Sequence, residues 1–183
     1  MFRKIKFKLK EFKKNERGVT SYEVAIACII FIILFSAFVD IIQLSNAHIT
    51  TTTVAKDLAR TMSVQGGVWD DVPSGYTENY YTLSDLQTLV NNELTSIGVE
   101  STEWAVYVKD QDAVDYYSTP ILTSKSKVAY TADYLSTFTI KIVARYEWRI
   151  FGGVIGLPVE STFNITMPGL SEWKYDYGSW EGA

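Results

Sequence analysis

Hydrophobic and polar positions change their spacing along this chain in a way that divides it into regions. From 24 to 39, sixteen consecutive residues are apolar except for Ser36, and after Asp40 the run resumes with Ile41, Ile42 and Leu44. At 1.5 Å per residue the 24–44 segment makes a helix of about 30 Å, the thickness of a bilayer's hydrocarbon core. From residue 46 to about 64 the period is still helical, but apolar on one face only. Val54, Leu58 and Met62 recur every fourth position beside Ala55 and Ala59, with Lys56, Asp57 and Arg60 opposite. Gly66-Gly67 closes a helix predicted over 19–65. The β-branched run at 50–53 is the place where a bend or fraying is expected.

Residues 67–83, with Pro73 and Gly75, read as a loop. A second helix is predicted to open at Ser84, with Ser84 and Gln87 as a capping box. Leu86, Leu89, Val90, Leu94 and Ile97 form its stripe, and Gly98 its stop. The period then falls to two. The stretch 104–109 is a strand candidate and 127–131 a weaker one. The strongest is 137–149, where Phe138, Ile140, Ile142, Ala144, Tyr146 and Trp148 share a face opposite Lys141, Arg145 and Arg149. The glycines at 152, 153 and 156 read as a turn into a further strand over 158–167, paired antiparallel with its predecessor. The tail beyond Pro168 carries Trp173, Tyr175, Tyr177 and Trp180. The expected fold is α+β: a long N-terminal helix, transmembrane in one half and amphipathic in the other. That helix packs on a small antiparallel β-sheet domain with one additional helix.

Charge sharpens the division. Of 17 Lys and Arg, eight lie in residues 1–18 against two acids; the rest of the chain holds nine against nineteen of the 21 Asp and Glu. A net +6 leader therefore precedes a net −10 body. The basic flank places the N-terminus on the cytoplasmic side and residues 66–183 outside. A body so acidic does not suit nucleic acid, which is bound by displacing phosphate counterions with cations. The chain has one cysteine, Cys28, and one histidine, His48. Neither a disulfide nor a nucleophile–base pair is within its means, so no enzyme is expected, and no cofactor motif is present.

Residues 15–23 read Asn-Glu-Arg-Gly-Val-Thr-Ser-Tyr-Glu and lead directly into the apolar run. This resembles the processing site of type IV prepilins and pseudopilins, in which a basic leader ends in Gly and a Glu follows five residues on. The 35–42 segment with its Asp40, and the alanine-rich 55–60 segment with Arg60, are closest to the Tad-type (tight adherence) minor pilins. The resemblance implies a leader at 1–18 cut by a prepilin peptidase between Gly18 and Val19. It also implies assembly through the N-terminal helix, with Glu23 setting the register against a neighbour's or its own new amino group. Its implied partners are other pilin subunits, the membrane platform of the assembly machinery and the cytoplasmic membrane, and an extracellular filament is the final location. Val19 departs from the Phe common at that position and favours the Tad-like subgroup. Many of these features also suit an uncleaved signal-anchored binding or sensor protein.

Two acidic sites remain. Asp40, about 24 Å along the helix from Val24, is expected among solvated outer headgroups or in a polar contact with a neighbouring helix. Asp110, Asp112 and Asp115 have the acidic density of a calcium loop without its Gly and terminal Glu, so a solvated acidic turn is the expectation and calcium the weak alternative.

Overall fold

A computed structural model describes residues 16–71 and 80–172, with side chains from residue 20. The leader through residue 15, Pro73, Gly75 and the tail aromatics Trp173, Tyr175, Tyr177 and Trp180 lie outside the described residues. Helix α1 (Glu16–Gln65) is a single rod of 50 residues, about 75 Å long. The helix runs through the threonines without interruption. Thr51, Thr52 and Thr53 each donate a hydroxyl hydrogen bond to the carbonyl four residues back, on Ala47, His48 and Ile49, so the helix itself absorbs their polar groups. The rod stops where Gly66 takes a left-handed φ of 70°.

Strand β1 (Gly67–Val68) follows at once and pairs antiparallel with the later β4 (Tyr130–Thr131). A Cβ at Gly67 would stand 2.2 Å from the Tyr130 carbonyl oxygen, so only glycine permits this approach. Helix α2 (Leu83–Ser96) starts one residue earlier than expected, and its cap is Thr82, not Ser84. The Thr82 hydroxyl accepts from the Asp85 amide at 3.2 Å, and the Asp85 carboxylate accepts from the Thr82 amide at 3.0 Å. Burial explains the shift: Leu83 is fully enclosed and leads the stripe Leu83, Leu86, Val90, Leu94. Gly98, at φ 91°, ends the helix as anticipated.

The remaining strands are β2 (Val99–Asp110), β3 (Leu122–Thr123), β5 (Thr137–Glu147) and β6 (Glu160–Leu170). They form one antiparallel sheet in the order β3-β2-β5-β6. The expected pairing of the last two strands holds without a break, from Thr137↔Leu170 to Glu147↔Glu160. Between them the structure departs from expectation. The glycine-rich segment is a short helix, α3 (Arg149–Ile155), closed by Gly156 in the left-handed region. The candidate strand at 127–131 contracts to β4 and an isolated bridge from Lys127 to Leu122.

One face of the sheet, including Val106, Val108, Phe138, Ile140, Ile142, Ala144, Phe163 and Ile165, is buried together with Ala47, Val54, Leu58 and Met62 of α1 and the stripe of α2. The other face is solvated: the Lys141 ammonium sits over the rings of Tyr107 and Tyr116, and Arg145 bridges Glu160 and Glu103. Alternation of this kind is how an antiparallel sheet meets a core on one side only. The result is the α+β architecture expected, with two helices besides the long one among the described residues where one was expected.

Strand β6 lies along α1, running the same way. The His48 ring stands edge-on to Phe163 at 5.8 Å, while Ser63 accepts the Leu170 amide on its hydroxyl and the Glu172 amide on its carbonyl. From His48 to Ser63 the helix rises about 22 Å, and from Phe163 to Leu170 the strand advances about 23 Å. The two ladders stay in step. That alignment carries the start of β6, the end of β5 and α3 down to the level of Asp40.

Candidate functional site

The feature most in need of an occupant is the first half of α1. Every described side chain from Thr20 to Ile32 is exposed, among them Val24, Ile29, Ile30 and Phe31, and farther along Leu34, Phe35 and Phe38 stand out in the same way. This is the one described helix long and apolar enough to cross a membrane. Each such side chain costs roughly 1.5–3 kcal/mol to leave in water rather than bury, so an apolar medium or other helices must cover the surface. Cys28 is exposed within it.

Gly18 and Val19 lie within α1, so the backbone is helical at the expected cut. Glu23 is exposed one turn beyond Val19, and no ion pair to it forms among the described residues. On a helix, residues four apart are neighbours. A free amino group at Val19 would therefore stand about 6 Å along the axis from Glu23, within reach of its carboxylate.

Asp40 is not where the sequence suggested. It is fully buried, not solvated among headgroups. Its Oδ2 accepts the Phe151 amide at 2.6 Å, while Oδ1 is buried with no hydrogen-bond partner. Trp148, at the cap position of α3, makes no side-chain cap of its own. Asp40 supplies the missing acceptor from another helix, with its carboxyl oxygen at the positive end of the α3 dipole. One turn farther along, Gln43 accepts the Tyr146 hydroxyl at 2.9 Å. Burial, then the charge of Asp40, raises the Tyr146 pKa. The pair Asp40–Phe151 and Gln43–Tyr146 forms a polar latch that joins α1 to the end of the sheet. Sequence reasoning missed Gln43, Tyr146 and Phe151 as partners. The available signal was a Tyr on the apolar face of a strand, whose buried hydroxyl needs an acceptor.

Asp110, Asp112 and Asp115 do not converge on a shared point, and among the described residues no three His, Cys, Asp or Glu are grouped to hold a metal. Asp112 and Asp115 are exposed, as a solvated turn requires. Asp110 departs from that expectation: Tyr117 and Tyr130 both donate their hydroxyls to it, the latter at 2.6 Å. The Asp110 contact raises the Tyr117 pKa first of all; for Tyr130 burial comes first, then Asp110. This is a structural knot linking β2 to β4. Comparison with protein-family models, curated proteins and solved structures finds no match to this chain.

Proposed function

We propose that this chain is a structural, minor subunit of a type IV-like pilus, pseudopilus or conjugation apparatus, closest to the Tad type. The observation that carries the reading is the division of α1. One face of its second half is buried in the chain's own core, and its first half is bare and apolar as far as Ile32 along a continuous rod. One rod can then serve in two media, first lipid and later a bundle of like helices.

The steps follow from the charges. The +6 leader holds the N-terminus in the cytoplasm, with the globular part outside the cytoplasmic membrane. A prepilin peptidase cuts after Gly18. The membrane platform of the assembly machinery then lifts the subunit, and α1 packs among the helices of other subunits. Burying Glu23 unpaired costs several kcal/mol. The amino group of Val19, on the same or a neighbouring subunit, offsets that cost at one axial position only, and so sets the register.

Glu23→Ala tests this. The variant should insert and be processed normally but be absent from sheared filaments, as followed by immunoblot. Normal incorporation would contradict the register mechanism.

A further inference from the structure

Protein contacts on α1 begin inside its apolar run, not above it. Ser36 and Asp40 are buried, and Ile33, Ala37 and Leu44 are half-buried on the same stripe. α3 packs on α1 here, held by the Asp40–Phe151 bond. Counting from Leu44, Asp40 lies about 6 Å and Ser36 about 12 Å within the run. If the run fills the bilayer core, α3 is already below the surface of the leaflet nearer the globular part.

The chemistry of α3 suits that depth. After Arg149 it carries only Ile150, Phe151, Gly152, Gly153, Val154 and Ile155, and then Gly156 and Leu157. Ile150, Val154 and Leu157 face outward, 39%, 44% and 62% exposed. Phe38, Ile41 and Ile42, at the same level of α1, are exposed too, so an apolar collar at this level takes in side chains of both helices. Backbone donors in lipid must be satisfied internally. Asp40 takes the Phe151 amide, and the Gly152 and Leu157 amides bond to Trp148 and Gly152 carbonyls. Trp148, at the cap position of α3, is half-buried against the core, and its indole donates to Ser161.

We infer that α3 is a second membrane element, an interfacial helix seated in the acyl–glycerol zone of that leaflet beside α1 and fixed there by Asp40. The inference rests on the membrane anchoring within the proposed function but not on filament assembly. It assigns Asp40 a role the sequence does not suggest: it takes up one of the backbone donors that the α3 terminus would otherwise carry into lipid.

The test uses the full chain with Cys28→Ser, reconstituted in phosphatidylcholine–phosphatidylglycerol vesicles. Single cysteines are placed by Val154→Cys and Leu157→Cys, with Phe31→Cys as the span control and Val114→Cys, 87% exposed, as the water control. Each carries an environment-sensitive fluorophore, read with lipids bearing a nitroxide near the headgroup or near the chain end. The expected result is loss of most Val154→Cys and Leu157→Cys emission with the shallow nitroxide. Phe31→Cys emission should fall with the deep one, and Val114→Cys emission with neither. Quenching at Phe31→Cys but at neither α3 position overturns this inference alone. Shielding from water at α3 without lipid quenching, with cross-linking between copies, assigns the collar to a protein partner and overturns it as well. No quenching at Phe31→Cys removes the anchoring and the inference together.

Discussion

At Asp40 a single carboxylate decides how the N-terminal helix meets the rest of the chain. Asp40→Ala leaves the Phe151 amide without its buried acceptor, a loss of roughly 1–3 kcal/mol for a buried donor left unsatisfied. Asp40→Asn keeps an acceptor oxygen and should lose less, and thermal unfolding of the full chain in detergent should rank the three. Equal melting of all three would show that the bond contributes nothing. Asp110 makes a pH prediction. Tyr117 and Tyr130 have pKa values raised above the usual 10.0 in the fold. Their contribution to stability is therefore complete below pH 10.0 and is lost as pH rises through the higher folded values. Ultraviolet titration of Asp110→Asn should show these phenols ionising at lower pH than in the parent. Asp85 has the opposite sign: its pKa is lowered from 3.8 by the Thr82 hydroxyl and then the Thr82 amide. The capping bond is thus present above pH 3.8 and lost as pH falls through the lowered value. The apolar runs and the Gly18–Glu23 spacing are legible in the sequence. The burial of Asp40 is not, because its partner is an amide 111 residues away that no local pattern advertises.

Among the elements, those whose periodicity matches their packing were the readable ones. The alternation from Phe138 to Tyr146 predicts β5 because that strand is central and has one buried face. Strand β3 has two residues and carries no period to read. The α3 segment reads as a turn in the sequence because Gly152 and Gly153 disfavour a helix by about 1 kcal/mol each relative to Ala. Packing of α3 on α1 overrides that preference, and Gly152 is buried where a Cβ would come within 2.9 Å of the Leu157 carbonyl oxygen. The α2 cap lies two residues before the expected Ser84: Ser84 and Thr82 are both cap-forming types, and the burial of Leu83 chooses between them. Thr82→Ala should therefore destabilise the domain by about 1 kcal/mol. Ser84→Ala should be close to neutral apart from its bond to Lys127, as chemical denaturation can compare. Gly67→Ala is a harsher change, since it drives a methyl into the Tyr130 carbonyl and should release the β1–β4 pair.

Over the whole molecule, one helix has two kinds of surface. Along its outer half the sheet and α2 cover a stripe from Ala47 to Met62, and β6 keeps pace with it from His48 to Ser63. Along its inner half nothing in the described chain covers Val24 to Phe31. The proposed subunit, which leaves the membrane to join a bundle, draws its support from a basic leader, a glycine, a glutamate five residues on and this bare apolar rod. Proteolytic release of the leader is the event on which that account turns. N-terminal sequencing of the protein recovered from its native cell surface tests it most directly. The account predicts Val19 as the first residue; recovery of the mature, working protein with Met1 still attached would contradict it and favour an uncleaved membrane-anchored binding protein.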